Sequence, residues 1–515
     1  MSKVAKATVG LMIATILAKI LGFGRELVLA SSYGASMYSD AYLTAVNIPW
    51  VMFSTIGTAL GTIFIPIYFD VDNSLGEKRA LKFTNNAFNI VILVCILLAI
   101  ICFIFAKPLV KVFAIGFKDE TLKITIQFTK VLVIGIVFNG LSYIMTSYLQ
   151  VKNNFTIPGL ISIPKNIIII ISIILSLKFG AYIMIWGTLI GTICEFLIQL
   201  PFAFKNGYKY EPYISIRDEY LKKSIWLLGP VLIGVGVNQV NTMIDRTLAS
   251  TLAEGSISAL NYANKLNQFV MALFITSVSS VIYPMLSKLS NEDSKERFIK
   301  TVTKSVNSIV LLVLPISVGA IVLSTPIVRL LFQRGEFDIR ATNMTAVALI
   351  MYSIGMVAFG LRDILGKVFY SLKDTKTPMI NGVIAVIMNI ILNFVLVKYM
   401  HLAGLALATS ISAIICILLL FKELKNKIGY FGQDKIVKTT LKSMISSIIM
   451  GIVVYILYKS LINTLGSGSI IELISLFLSI GVGAIVYIIG ITTLKVEEVN
   501  IIANIIKRKI NEQLT

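Results

Sequence analysis

Short residue patterns recur about 218 to 220 positions apart in this chain, between apolar segments long enough to cross a bilayer. Pro108-Leu109-Val110-Lys111 recurs as Pro326-Ile327-Val328-Arg329, and Leu29-Ala30-Ser31 recurs as Leu248-Ala249-Ser250. Further matches pair Gly116 with Gly335, Ala45 with Ala263, Pro66 with Pro284, Tyr148 with Tyr370, and Pro158 with Pro378. Matches in one register indicate an internal duplication, and a duplicated membrane protein is usually a transporter built from two helical bundles.

The composition places the chain in a membrane. Hydrophobic residues make up 57% and charged residues 14% of the 515 residues, and a soluble chain of that balance could not present a wettable surface. The formal charge of +20 is expected to follow membrane topology rather than nucleic-acid binding. The chain has no zinc pattern, nucleophile elbow or phosphate-binding glycine loop, so we expect no enzymatic activity.

The apolar segments predict an all-α polytopic protein with about fourteen transmembrane helices, since each crossing needs about 20 residues. With about six spans per repeat, both copies enter the membrane in the same sense, which predicts two parallel lobes. We place the lobes at residues 1–215 and 220–425, an appended helix pair at 436–495, and an amphipathic cytoplasmic tail at 496–515.

Basic residues indicate the orientation. They cluster at the N-terminus and in residues 78–82, 205–223, 288–304 and 422–442, and the positive-inside rule assigns such loops to the cytoplasm. An even number of spans then puts both termini in the cytoplasm.

Ionisable residues inside the predicted spans are candidates for function, because charge in a bilayer is costly unless it faces water or a partner. The basic ones are Lys19, Arg25, Lys130, Lys165, Arg246, Lys265, Arg362 and Lys367. The acidic ones are Glu26, Asp40, Glu195, Asp245 and Asp363. The excess of cations predicts a cavity that attracts anions, phosphate groups above all.

Lys19, Arg25 and Lys265 are the candidate substrate contacts. Lys19 and Arg25 lie about 120° apart around a regular helix, so we expect a break near Gly22-Phe23-Gly24 to turn both toward one cavity. The alternative is that these side chains reach toward lipid headgroups, which suits Lys367 and Arg25.

Three acid–base pairs are adjacent in sequence: Arg25-Glu26, Asp245-Arg246 and Arg362-Asp363. Neighbouring residues point about 100° apart on a helix. We therefore expect each member to pair with a different neighbour, and we assign Arg362 and Asp363 a structural role.

A cation site is a further hypothesis. Asn389 and Asn393 lie four residues apart on one helix face, and with Asp245, Thr409 and a backbone carbonyl they offer oxygen ligands suited to Na⁺. The alternative is that the asparagines only bridge helices by hydrogen bonds.

Two polar turns interrupt the second half of the chain. Arg334-Gly335-Glu336-Phe337 is predicted outside the membrane, and the segment from Lys373 and Asp374 to Pro378 is predicted inside. We expect structural or gating roles for both.

Several motifs together resemble the MurJ/MviN lipid II flippases of the MOP exporter superfamily over essentially the whole chain. They are Leu21-Gly22-Phe23 with Arg25, Asp40-Ala41, Tyr262-Ala263-Asn264-Lys265-Leu266, residues 332–337, and residues 369–378.

The resemblance implies a carrier that moves the undecaprenyl-pyrophosphate-linked peptidoglycan precursor from the inner to the outer leaflet by alternating access. It assigns head-group binding to Lys19, Arg25 and Lys265, with Asp40 added as a candidate contact, and a groove beside the last two spans to the lipid tail. Lipid II and membrane lipids are then the partners of an expected monomer in the bacterial plasma membrane.

The resemblance also maps a Na⁺ site onto Asp245, Asn389, Asn393, Thr409 and the carbonyl near Leu405. The chain departs from the family pattern at Phe53, Ser54 and Thr58, where many relatives carry charged residues.

Three rival functions stay open. Two are a flippase for another undecaprenyl-linked oligosaccharide and a MATE-like drug or cation antiporter. The third is a membrane glycosyltransferase or ligase, which would need an acidic catalytic residue in a large external loop, and the predicted external loops are short.

Overall fold

A computed structural model describes residues 3–292, 295–466 and 468–498 of the chain. Twenty α-helices and one π-helical segment account for the regular structure of these residues, which contain no β-strand. The helices of the first half are α1 (Lys3–Tyr33), α2 (Met37–Leu75), α3 (Glu77–Ile104), α4 (Ala106–Phe113), α5 (Asp119–Leu132), α6 (Gly135–Val151), α7 (Thr156–Leu160), α8 (Ser162–Phe179), α9 (Tyr182–Leu197), α10 (Gln199–Lys205) and α11 (Glu219–Ala249). The second half contains α12 (Ser256–Val270), the π segment (Met271–Ile275), α13 (Thr276–Asn291), α14 (Lys295–Val322), α15 (Ser324–Phe332), α16 (Ile339–Ile354), α17 (Met356–Ser371), α18 (Lys376–Ile428), α19 (Gln433–Leu465) and α20 (Ser469–Thr493).

The helices are those of a multi-span membrane protein, as predicted. Within the described residues, eight helices or helix pairs are long and apolar enough to cross a bilayer, and two strongly bent pairs raise the number to ten. The remaining predicted segments fall on α1, α2 and α11, and on the second half of α18, which kinks at His401 with φ 47°. Each of the fourteen predicted segments therefore corresponds to a helix, a half-helix or a run of consecutive helices.

The chain divides into two compact units. Unit 1 comprises Met1–Ser258 with Arg334–Asp338. In it, α2 packs against α3, α5, α6 and α11, and α1 packs against α8. The core of this bundle is aromatic, with Phe53, Phe64, Tyr68, Phe83 and Tyr148 all fully or almost fully buried.

Unit 2 comprises Ala259–Gln333 with Ile339–Thr515, of which the structure describes residues up to 498. Its central element is α14, which packs against α13, α16, α17 and α19, while α19 packs against α20. The core is aliphatic, with Ile309, Val313, Ile364 and Val368 fully buried.

One turn occurs in both units in the same register. Asn153 and Lys373 both adopt left-handed φ values, 59° and 58°. The next residue bonds back to the preceding helix in each case, Asn154 N–H to Leu149 O at 2.8 Å and Asp374 N–H to Phe369 O at 2.9 Å. The matched turns lie 220 residues apart, as do Pro158 and Pro378, which confirms that part of the predicted repeat.

The pairing of Tyr148 with Tyr370 was wrong by two residues. Tyr148 is fully buried, whereas Tyr370 is 46% exposed. The carbonyl of Tyr148 accepts the helix-ending bond from Lys152, and the equivalent carbonyl in unit 2 belongs to Val368. A shared residue type therefore misled the alignment at this turn.

Candidate functional site

Arg25 is held in a fixed position on α1. Its guanidinium donates to the Glu26 carboxylate at 2.7 Å and to Asn166 Oδ1 of α8 at 3.2 Å, and its side chain is 27% exposed. Our expectation that Arg25 and Glu26 would find different partners was wrong. Glu26 is buried, and the long arginine side chain spans the angle between adjacent positions to neutralise it.

The expected break in the first span is absent. The structure describes α1 as one continuous helix through Gly22 and Gly24. Lys19 is exposed on this helix, about 9 Å along the axis from Arg25 and on a different face. The structure therefore does not turn Lys19 and Arg25 toward a common point by breaking α1.

Lys265 lies on α12 in unit 2 and is partly buried. It follows the buried residues Tyr262 and Ala263, and the Tyr262 ring packs 5.3 Å from the ring of Phe332. The π segment Met271–Ile275 continues α12 beyond Lys265. Such segments often mark functional positions, because they loosen the regular helical hydrogen bonding.

Asp40 is buried at the start of α12. Its carboxylate accepts the backbone N–H groups of Gly255 and Ser258, each at 2.8 Å, and the Ser258 hydroxyl at 2.5 Å. It is 4% exposed. A carboxylate that accepts N–H groups from a first helical turn stabilises the helix end, so Asp40 fixes where α12 begins.

The turn around Gly335 packs on the end of α1. Gly335 adopts φ 59°, and a Cβ added there would lie 2.2 Å from the Ser31 carbonyl oxygen. That carbonyl accepts the Glu336 N–H at 2.9 Å. The exposed Arg334 precedes this turn. Only glycine fits here, because both the backbone conformation and the close approach exclude a side chain.

The first repeat makes the corresponding contact. A Cβ on Gly116 would lie 2.1 Å from the Ser250 carbonyl oxygen, and Gly116 N–H donates to Ser250 Oγ at 3.0 Å. The sequence pairs Gly116 with Gly335 and Ser31 with Ser250 in one register. The repeated residues thus make repeated glycine-to-backbone contacts, which confirms this part of the duplication.

Asp374 organises the turn between α17 and α18 in unit 2. It accepts the Thr377 N–H at 3.0 Å, the Thr377 hydroxyl at 2.8 Å and the Lys427 ammonium at 2.5 Å. The bond from Lys427, with those from Thr377, lowers the pKa of Asp374 to about 2. Pro378 lies in the first turn of α18, where the missing N–H costs nothing.

Four other charged residues within spans form two ion pairs. Lys367 lies 3.0 Å from Asp363, one turn earlier on α17, and Lys165 lies 2.6 Å from Glu195. Lys367 therefore has an ion-pair partner on its own helix. Asp363 pairs with a residue other than Arg362, as expected.

Four of the five candidate Na⁺ ligands meet in unit 2. Asn393 Nδ2 donates to Asn389 Oδ1 at 2.9 Å, and Asn389 Nδ2 donates to Thr409 Oγ1 at 3.3 Å. Thr409 Oγ1 donates to the Leu405 carbonyl at 3.1 Å. The kink of α18 at His401 allows its two halves to make these contacts. Asp245, the fifth candidate, lies on α11 in unit 1.

An apolar groove of about 750 Å³ runs along unit 2 beside α19 and α20. Residues of α14 line one wall, among them Leu311, Leu312 and Pro315. Tyr487 of α20 donates its hydroxyl to the Leu311 carbonyl at 2.9 Å. A long groove of this lining matches a hydrocarbon chain.

The departures at Phe53 and Ser54 have a structural explanation. Phe53 is fully buried and packs edge-on against Tyr143 with ring centres 5.5 Å apart. Ser54 is also buried, whereas Thr58 is exposed. A charged side chain at Phe53 would enter the core of unit 1, where burial of an unpaired charge is costly.

Comparison with known proteins decides the family. The family described as "Lipid II flippase MurJ" matches residues 29–476, which is most of the chain. The chain belongs to the lipid II flippase MurJ family. A solved structure described as "Lipid II flippase MurJ, inward closed conformation" aligns with 94% of this chain and 99% of its own at a TM-score of 0.81 and 30% identity.

MurJ relatives cover nearly the whole chain. "Probable lipid II flippase MurJ" of Buchnera aphidicola from Schizaphis graminum is 29% identical across 98% of this chain and 100% of its own length. The protein of the same description from Thermotoga maritima is 27% identical across 96% and 97%. A MATE-family multidrug transporter structure, at 16% identity and a TM-score of 0.67 over 82% of this chain, shares the fold.

MurJ membership makes this chain a multi-pass protein of the bacterial inner membrane and a transporter rather than an enzyme. Asn166, which accepts a hydrogen bond from Arg25, was not among the predicted site residues. It follows Lys165 at the start of an isoleucine-rich segment, and this pair of polar residues was the available signal.

Proposed function

We propose that this protein is a flippase that moves lipid II, the undecaprenyl-pyrophosphate-linked peptidoglycan precursor, from the inner to the outer leaflet. The observation that carries the proposal is the likeness to a MurJ structure across 94% of the chain, together with the family match over residues 29–476. The apolar groove of unit 2 supports it, because a polyprenyl tail needs such a surface during transport.

The head group is bound by cations in this proposal. Lys19, Arg25 and Lys265 neutralise the pyrophosphate, with Arg25 oriented by Asn166 and Glu26. Arginine binds phosphate oxygens in a two-pronged geometry, whereas lysine acts as a point charge. Asp40 contributes by fixing the start of α12, the helix that carries Lys265.

Transport follows alternating access by a monomer with two parallel lobes, residues 1–215 and 220–425, and with both termini in the cytoplasm. The appended helices 436–495 line the tail groove, and the tail 496–515 lies on the cytoplasmic membrane surface. The membrane potential helps, since moving one charge across 100 mV is worth about 2.3 kcal/mol and the negative interior favours outward movement of an anion.

A Na⁺ ion would suit the polar cluster of α18. The donor set is made of amide, hydroxyl and carbonyl oxygens, which hard cations prefer, so Asn389, Asn393, Thr409 and the Leu405 carbonyl would hold the ion. Bound Na⁺ would supply a coupling charge. Asp245 is the proposed source of a negative charge, and Asp245→Asn should abolish any Na⁺ dependence of transport.

The test is head-group translocation of labelled lipid II by purified protein in proteoliposomes. Lys19→Ala, Arg25→Ala and Lys265→Ala should each slow translocation at least about tenfold, since each removes a phosphate-binding charge. Lys398→Ala is the matched control, because Lys398 is exposed on α18 outside the proposed site.

Three results would contradict the proposal. Full activity of all three variants would show that these residues do not bind the head group. Failure of the parent to move lipid II, with transport of another undecaprenyl-linked oligosaccharide or a cationic drug, would favour a rival carrier. Formation of a new covalent product would indicate an enzyme.

A further inference from the structure

A second group of cations lies along one face of α14. Arg297, Lys300, Lys304 and Ser308 recur at intervals of three and four residues, so they share one side of the helix. The same face continues into Leu311, Leu312, Pro315, Ile316 and Gly319, which line the apolar groove. We call this continuous surface the α14 stripe. It is basic at its beginning and hydrocarbon-like beyond Ser308.

The basic part of the α14 stripe borders a recess of about 510 Å³ between α13 and α14. Its other lining residues include Thr301 and Ser305, which add hydroxyl groups, and Met285 and Leu289 of α13. Ser308 lines both this recess and the apolar groove. A single amphiphilic ligand can therefore extend from the recess into the groove.

The three cations are not neutralised by the part of the chain that the structure describes. Within residues 3–292, 295–466 and 468–498, no carboxylate lies within 4.0 Å of Arg297, Lys300 or Lys304. By contrast, Lys288 of the neighbouring helix α13 lies 3.8 Å from Glu292. The recess therefore carries a local positive charge that favours an anion with several negative charges.

We propose that the α14 stripe is a loading site for the transported lipid at the inner leaflet. The diphosphate binds Arg297, Lys300 and Lys304, and the polyprenyl chain enters the groove past Ser308. This inference rests on the proposed function and adds a site distinct from Lys19, Arg25 and Lys265. Three cations match a diphosphate better than the single charge of a bulk phosphodiester lipid.

The spacing along α14 fits the shape of such a ligand. Lys304 lies about 10 Å along the helix axis from Leu311, where the apolar lining begins. That interval accommodates the junction between a diphosphate and its chain. The positive-inside rule depends only on the number of basic residues near the cytoplasmic ends of the helices. It does not explain why Arg297, Lys300 and Lys304 share one face of α14.

The experiment measures binding of undecaprenyl diphosphate to the full-length protein in phosphatidylcholine nanodiscs. The test variant is Lys300→Gln with Lys304→Gln. The control variant is Lys288→Gln with Lys295→Gln, which removes the same charge from the end of α13 and the start of α14, at residues that do not line the recess. We expect the test variant to bind at least about fivefold more weakly and the control variant to match the parent.

Undecaprenol, which lacks the diphosphate, provides the second measurement. The test variant should bind it as the parent does, because the apolar groove is unchanged, and this result also shows that the variant is folded. Equal weakening of diphosphate binding in both variants would overturn the proposal, since net charge alone would then explain it. Displacement of undecaprenyl diphosphate by an equal amount of phosphatidylglycerol would also overturn it, by assigning the recess to bulk anionic lipid.

Translocation separates this inference from the proposed function. If the parent moves lipid II in proteoliposomes but the two variants bind undecaprenyl diphosphate equally, the loading site alone is refuted. If the parent does not move lipid II, the proposed function itself fails. If both proposals hold, the test variant should show a raised KM with an unchanged maximal rate, because loading is weakened and the later steps are not.

Discussion

Asp40→Ala should destabilise the protein, because the Asp40 carboxylate fixes the start of α12. The substitution removes the acceptor for three hydrogen bonds and leaves the Gly255 and Ser258 N–H groups without it. Hydrogen bonds to a charged group contribute about 1.5–3 kcal/mol each, and loss of a helix cap costs about 0.5–2 kcal/mol. Because such losses are not additive, we expect a total of about 3–4 kcal/mol.

The cysteines of unit 1 provide the assay. Cys95 and Cys102 are almost fully buried, so a thiol-reactive dye reports their exposure as the protein unfolds on heating. If unit 1, with about 260 residues, unfolds cooperatively, a loss of about 3–4 kcal/mol should lower the transition midpoint by roughly 5–7 °C. Asp40→Asn keeps one acceptor oxygen and should fall between the parent and Asp40→Ala.

Two outcomes would refute this reasoning. An unchanged midpoint for Asp40→Ala would show that the capping contacts contribute little to stability. Equal midpoints for the Ala and Asn variants would show that the remaining oxygen does not replace the carboxylate as an acceptor.

Two further predictions concern the polar turns. Gly335→Ala should destabilise the protein by at least about 2 kcal/mol, because alanine is strained in the left-handed conformation and its Cβ would clash with the Ser31 carbonyl. Gly61→Ala is the control and should not destabilise it, because no atom lies within 4 Å of the added Cβ. Equal unfolding midpoints of the two variants in the thiol-dye assay would contradict this prediction. The depressed pKa of Asp374, about 2 against an ordinary 3.8, stabilises the folded state above pH 4, and this stabilisation is lost as the pH falls through about 2. The midpoint gap between the parent and Asp374→Asn should therefore narrow from pH 5 to pH 2.5, and a constant gap would exclude this linkage.

The repeat, the helical class and the two polar turns could be predicted from the sequence, because each depends on local chemistry. Gly116 and Gly335 mark positions that only glycine can occupy. Long apolar segments have few alternatives to a membrane helix. These features are encoded within a few residues, so a single sequence reveals them.

The partners of the charged residues could not be predicted in the same way. Arg25 binds Asn166, 141 residues away, and the adjacent Glu26. The first contact depends on how α1 packs against α8, and the second on how deeply Glu26 is buried. The angles between residues on an isolated helix predict neither contact. The same angles led us to expect a break at Gly22–Gly24, whereas α1 is continuous there.

The matched turns show which part of the duplication governs structure. In unit 1 the cation Lys152 lies in the turn and pairs with Glu77 of α3, whereas in unit 2 the acid Asp374 lies in the turn and pairs with Lys427 of α18. The order of the charges is reversed, yet the backbone conformation is the same. The left-handed residue and the side-chain oxygen that follows it therefore determine the turn, and the ion pair only fastens it to a neighbouring helix. It follows that exchanging Lys152 and Glu77 should leave the turn of unit 1 intact, whereas replacing the oxygen acceptor at position 154 or 374 by an apolar side chain should disrupt its turn.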